Sequence, residues 1–132
     1  MHAFLVELPN QPGSLAGLSA ALADRGINIA GIAGATCGAS GSVGLITNDE
    51  EITRSVLSGR GDSFREIDLV SAQLENVSGT LANATRRLAD AGVNIEFLTP
   101  SGMEGNKITL AIGVDNAEAA RQALGELAAV GM

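Results

Sequence analysis

Residues 8–29 read LPNQPGSLAGLSAALADRGINI, and residues 74–95 read LENVSGTLANATRRLADAGVNI, an offset of 66 in a chain of 132. Eleven of the 22 aligned columns are identical, where about two would match by chance in an Ala- and Leu-rich chain. Ser14/Thr80, Ser19/Thr85 and Ile27/Val93 are conservative exchanges besides. The chain is therefore a duplicated unit, and the repeat sets the reading of everything else. A lone domain of that size buries only about 60% of its unfolded surface and is marginal, so two copies together make a better core. The expected boundary falls at Glu66 or Ile67, giving domains 1–66 and 67–132.

Within the first copy, residues 4–8 are rich in apolar side chains and read as a strand, broken by Asn10, Pro12 and Gly13. Leu15, Leu18 and Leu22 then recur at i, i+3 and i+7, one face of a helix, and are expected in the core. Gly26 ends that helix as a left-handed residue past its last turn, and Gly92 does so in the second copy. Residues 27–32 start a second strand and 43–47 a third, with a loose glycine-rich hairpin between them. In the second copy the corresponding strands are 93–98 and 108–114, with a turn over 100–106. Asn48 or Asp49 caps a second helix, and Asp115 or Asn116 its counterpart. Residues 63–67 form a fourth strand that runs on into 69–74, the first strand of the second copy. The order is β-α-β-β-α-β, which predicts an α+β fold: two ferredoxin-like units, each an antiparallel sheet with helices on one face. The second copy reaches Gly131 and Met132 where its fourth strand starts, so that strand is expected as a stub.

Composition narrows the function. Fifteen acidic against eight basic side chains give a net charge of −7, and aromatic residues make up 2% of the chain. A nucleic-acid surface wants a basic patch and stacking rings, so that class is disfavoured. A single cysteine, Cys37, and a single histidine, His2, leave no disulfide and no paired-histidine metal site. No basic leader precedes an apolar run, and no long uncharged apolar stretch occurs, so a cytoplasmic protein is expected. The glycines of the hairpin do not sit between a strand and a helix as a phosphate loop requires.

At this point the residues resemble a known family. Asn10-Gln11-Pro12-Gly13-Ser14-Leu15 after the first strand and Gly26-Ile27-Asn28-Ile29 after the first helix resemble the ACT domain. Asn76-Val77-Ser78-Gly79-Thr80-Leu81 and Gly92-Val93-Asn94-Ile95 repeat both motifs. The resemblance implies a free-standing tandem regulatory protein, allosteric rather than catalytic, with no cofactor and no metal. Its ligand would be a small molecule of the amino-acid class. The second copy departs from the pattern at Ser78, which stands where the first has Pro12, and in its missing fourth strand.

The resemblance also implies the ligand-binding residues: Asn10, Pro12, Gly13, Ser14, Leu15, Asn28 and Ile29 in the first copy, and Asn76, Gly79, Thr80, Leu81, Asn94 and Ile95 in the second. The physical chemistry agrees with such a role. A helix opened by Gly13 or Gly79 offers unpaired N–H groups to a carboxylate, and asparagine amides can serve either end of a zwitterion. A pseudo-twofold arrangement would set Asn10 against Asn94 and Asn76 against Asn28, the first site binding better because Pro12 stiffens its loop. Each residue also has a purely structural reading, as a turn asparagine or packing glycine. Cys37 reads as a bystander, and Arg86 and Arg87, which replace Ala20 and Ala21, read as a solvated helix face. An exposed sheet edge in the second copy predicts a homodimer. The alternative is a regulatory subunit acting by protein contact on an enzyme of amino-acid metabolism. A hydrolase on the same fold would want an arginine in the loop at 9–14, which has none.

Overall fold

The computed structural model describes residues 1–129. Its elements run β1 (His2–Pro9), α1 (Ser14–Asp24), β2 (Ile29–Cys37), β3 (Ser40–Thr47), α2 (Glu50–Arg60), β4 (Phe64–Glu75), α3 (Thr80–Asp90), β5 (Ile95–Glu104), β6 (Lys107–Val114), α4 (Ala117–Leu124) and a 3₁₀ turn (Gly125–Leu127). The fold is α+β with antiparallel pairing, and it divides into two compact units, His2–Glu66 and one that starts at Ile67. No helix of the described residues is long and apolar enough to cross a membrane.

In the first unit β3 pairs with β1 on one side and β2 on the other. The start of β4 lies along β1, where the Glu7 N–H donates to the Ser63 carbonyl at 2.9 Å. Strand alternation sends Phe4, Val6 and Leu8 to one face, and their partners Leu45, Val43 and Gly41 share it. Leu18 and Leu22 of α1 and Val56 and Leu57 of α2 close over that face. Both helices therefore cover the same side of the sheet. Helix α2 begins on Asp49, whose carboxylate accepts the Ile52 N–H at 3.0 Å, with Glu50 and Glu51 in the first turn. Leu15 is not part of this core: it is 45% exposed. It stands in the first turn of α1, ahead of the buried Leu18, and its counterpart Leu81 in the first turn of α3 is equally exposed at 45%.

The second unit repeats the plan. Strand β6 pairs with β4 and β5, and Val70, Leu74, Leu110 and Ile112 pack under Leu88 and Leu124. After the 3₁₀ turn the chain returns to β4: Ala128 bridges Ala72, and the Ala129 N–H donates to the Ser71 carbonyl at 2.8 Å. That contact lies where a fourth strand of this unit would run; residues 130–132, on which the rest of the expected stub would fall, lie outside the described residues.

The hairpins are tighter than expected. Strands β2 and β3 continue to Cys37 and Ser40 and turn on Gly38 and Ala39, Gly38 at φ +66°. Small residues weaken strand propensity, yet β3 is laddered on both sides here, and the ladder overrides it. The repeat also shifts by one residue. Asn48 and Asp115 play the same part, each accepting a backbone N–H, from Asn28 at 3.0 Å and Asn94 at 2.9 Å. Those acceptors are 67 apart while the donors are 66 apart. The extra residue is absorbed by a register shift in β5 between Pro100 and Gly102, which β2 lacks.

One cross-strand pair is reversed between the units. Gly31 faces Ile46 in the first, and Phe97 faces Gly113 in the second. A Cβ on Gly31 would lie 3.1 Å from Ile46 Cδ1, and one on Gly113 would lie 2.9 Å from Phe97 Cβ. Each large side chain occupies the space its partner's missing side chain leaves.

Candidate functional site

The first unit carries a cleft of about 540 Å³ between the start of α1 and the far ends of β2 and β3. This is within the usual range for a small-molecule site. The turn from β1 to α1 brings Asn10, Gln11, Ser14 and Leu15 to one wall. Ile32, Gly34 and Thr36 of β2, with Gly41 and Val43 of β3, form the other wall and the floor. The cleft exists because Gly34 and Gly41 put no side chain on the helix side of the sheet. The register equivalents in the second unit are Pro100 and Ile108, which do.

The turn itself is built on Gly13, which caps α1 at φ +91° with no side-chain hydrogen bond. Helices α2 and α4 are capped by Asp49 and Asn116, whose side chains accept the Ile52 and Ala119 N–H groups. Gly79 opens α3 in the same way as Gly13, at φ +92°. A left-handed residue without a Cβ keeps the approach to these helix starts clear. Asn10 Nδ2 donates to the Gly38 carbonyl at 2.8 Å, which ties this turn to the β2–β3 hairpin beside the cleft.

Of the residues implicated by sequence, Asn10, Ser14 and Leu15 line the cleft, and Pro12 and Gly13 belong to the same turn. Asn28 and Ile29 do not: they stand at the opposite end of β2. Asn28 exchanges backbone and side-chain hydrogen bonds with Asn48, and Ile29 packs on the core. Asn94 and Ile95 repeat this in the second unit with Asp115 and the second core. There Thr80 Oγ1 donates to the Glu75 and Val77 carbonyls at 2.8 and 3.1 Å, inside the turn that also holds Asn76, Gly79 and Leu81. Thr80 lines a smaller hollow of about 270 Å³, together with Glu75, Lys107 and Glu126. Sequence reading missed Ile32, Gly34, Thr36 and Gly41 as walls. The available signal was the glycine-rich stretch from Gly31 to Gly44, which reads equally well as a loose hairpin.

None of the residues lining the first cleft is ionisable. Charge is arranged elsewhere. His2, Glu50 and Glu66 are the one group among the described residues with atoms close enough together to hold a metal ion. Both Glu50 oxygens, however, accept from His2, its N–H at 3.0 Å and its ring Nδ1 at 2.8 Å. Both Glu66 oxygens accept from the Arg54 guanidinium at 2.6 and 2.7 Å. The group is a histidine–carboxylate hydrogen-bonded pair beside an arginine–carboxylate ion pair. Burial pushes the Glu50 carboxyl up, but the His2 hydrogen bonds outweigh it and hold it below the ordinary value. The Arg54 hydrogen bonds hold Glu66 down likewise.

In the second unit Arg87 is not a solvated helix-face residue. Its guanidinium donates to the Leu124 carbonyl at 3.0 Å and to Glu126 at 2.7 Å, joining α3 to the end of α4. It thereby satisfies a carbonyl that the helix end leaves open. Arg86 remains exposed, 3.9 Å from Asp90.

Residues 2–58, most of the first unit, match the model of the ACT domain. Among solved structures, the chain is similar to a protein from Bacteroides thetaiotaomicron, with 24% identity, a TM-score of 0.78, and coverage of 95% of this chain and 86% of that one. It is similar to the regulatory subunit of aspartate kinase from Thermus thermophilus, with 24% identity, a TM-score of 0.65, and coverage of 96% and 91%. The corresponding subunit from Thermus flavus gives 23%, 0.67, 96% and 92%. No curated protein matches the chain. At these identities the likeness to solved structures is one of fold, and the ACT match falls on the unit that carries the open cleft.

Proposed function

We propose that the chain is a tandem ACT regulatory protein without catalytic activity, and that it senses an amino acid in the cleft of its first unit. The observation that carries this reading is the cleft itself. It opens on a helix start capped by Gly13, with the neutral side chains of Asn10, Gln11 and Ser14 beside it. A zwitterion needs hydrogen-bond donors for its carboxylate and acceptors for its ammonium. The helix start supplies the former, and amide and hydroxyl oxygens supply the latter. Assignment of residues 67–132 as a second ACT domain rests on the repeat and on the shared element order.

The test is a thermal-shift screen of the chain against the twenty amino acids. A ligand at a hundredfold excess over its dissociation constant adds about 2.7 kcal/mol and raises the melting temperature by several degrees. No shift with any of them would overturn the reading.

A second reading is that the chain regulates an enzyme of amino-acid metabolism by direct contact, as a homodimer. It is favoured by the likeness to regulatory subunits of aspartate kinase. Light scattering at micromolar concentration tests the dimer, and a mass near 13.3 kDa, that of one chain, would exclude it.

A further inference from the structure

We propose that the cleft of the first unit selects amino acids with an uncharged, apolar side chain and rejects the basic and acidic ones. This rests on the reading of that cleft as an amino-acid site and goes one step beyond it. The ammonium and carboxylate of the ligand are common to all amino acids, so they do not discriminate. Discrimination falls to the side chain and to the surface it meets. That surface is Leu8, Leu15, Ile32 and Val43, with the backbone of Gly34 and Gly41 as its floor. Leu15 and Ile32 are 45% and 44% exposed, so both present apolar surface that a ligand would remove from water. The polar groups around them, such as Thr36 and Ser42, are neutral.

A lysine or glutamate side chain lying on this surface would give up hydration without finding an opposite charge, which is costly in a way a methyl group is not. The chain's net charge of −7 works the other way and attracts cations at long range. At physiological salt that attraction is screened beyond about 8 Å, whereas the contact surface acts at van der Waals distance. The contact surface therefore sets the preference. Differences of a methylene in an apolar pocket are worth about 10- to 200-fold in discrimination, and a misplaced charge is worth no less.

The experiment is calorimetric titration of the whole chain at 0.15 M salt with two sets. One is valine, leucine, isoleucine, methionine and phenylalanine; the other is lysine, arginine, aspartate and glutamate. The best apolar ligand is expected to bind at least about tenfold more tightly than any charged one. A charged amino acid binding as tightly as the best apolar one would overturn the selectivity and leave the amino-acid reading standing. No binding by either set, together with a silent screen, would overturn that reading and the selectivity with it.

Two variants place the effect in the cleft. Gly34→Leu fills the floor; its Cβ would meet Val43 Cγ2 at 3.7 Å and the Ser42 carbonyl at 3.5 Å, ordinary contacts that leave the sheet intact. It is expected to lose apolar binding by at least about tenfold. Ile32→Asp, at a half-exposed position, is expected to lose apolar ligands and gain lysine. Unchanged apolar binding in a folded example of either variant would show that the discriminating surface is elsewhere.

Discussion

The hydroxyls of Thr47, at the end of β3, and Thr53, in α2, are 2.7 Å apart and buried. Thr53 Oγ1 donates to the Asp49 carbonyl at 2.7 Å, which leaves its oxygen to accept from Thr47. The strand and the helix start are thus held by a two-hydroxyl relay. At the equivalent positions the second unit has Val114 and Ala120, both buried and apolar. Thr53→Ala removes Thr47's good partner and leaves it a contact of 3.4 Å to the Asp49 carbonyl, so it is expected to cost about 1–3 kcal/mol. Thr47→Val with Thr53→Ala, the arrangement the second unit already uses, is expected to cost less than Thr53→Ala alone. Urea unfolding of the two single variants and the double variant measures the coupling, and additive losses would rule the relay out.

Gly13 sits at φ +91° with nothing within 4 Å of the place a Cβ would take. Gly13→Ala therefore meets no clash, and its cost is backbone strain alone, about 1–2 kcal/mol. The same holds for Gly79→Ala at φ +92°. Urea titration should give similar losses for both, whereas calorimetry with the amino acid found in the screen should show weaker binding for the Gly13 variant only.

Asn10→Ala releases the turn from the Gly38 carbonyl. That bond is exposed, so stability should fall by less than about 1 kcal/mol. Affinity for the ligand should fall about three- to tenfold, because a loosened wall must be ordered on binding. Calorimetric titration alongside a melting curve separates the two effects. A variant that melts early and binds normally would make Asn10 a structural turn residue.

The Arg87 hydrogen bond holds the Glu126 carboxyl down at about 2, from an ordinary value of 4.5. A carboxylate with a depressed folded-state pKa stabilises the fold above its unfolded value. That contribution is present above about pH 4.5 and lost as pH falls through about 2. Arg87→Ala should return Glu126 toward 4.5, seen as a moved carboxyl titration by NMR. The stability difference from the wild type should be constant above pH 5 and narrow as pH approaches 2, down to the pH-independent part that the bond to the Leu124 carbonyl supplies. A Glu126 titration that stays near 2 in the variant would assign the shift to something other than Arg87.

The repeat made the element order legible, because a duplicated N-x-x-G-x-L turn and a duplicated helix stop fix where strands must lie. The lining of the candidate cleft was half legible. Asn10, Ser14 and Leu15 carry a turn signal of their own, and they do meet at the cleft. Leu15 was misread as core because helical periodicity says which face a residue is on, not how far along the helix the covered surface extends; Leu15 and Leu81, each in the first turn of its helix, are both 45% exposed. Asn28 follows a helix-stop glycine, and what it does depends on Asn48, twenty residues away, which no local pattern reveals. The one-residue slip at Pro100–Gly102 was hidden because the identical columns all precede it.

The reversed pair Gly31–Ile46 and Phe97–Gly113 makes the two halves of this gene product poor donors to one another. Replacing β2 by β5 would bring Phe97 against Ile46, two large side chains where one fits; replacing β3 by β6 would bring Gly31 against Gly113 and leave a hole. Exchange of short segments between duplicated copies, the ordinary route by which repeats are kept alike, is penalised in either direction at this single rung. The halves differ again at the cleft, where one has Gly34 and Gly41 and the other has Pro100 and Ile108 at the equivalent positions.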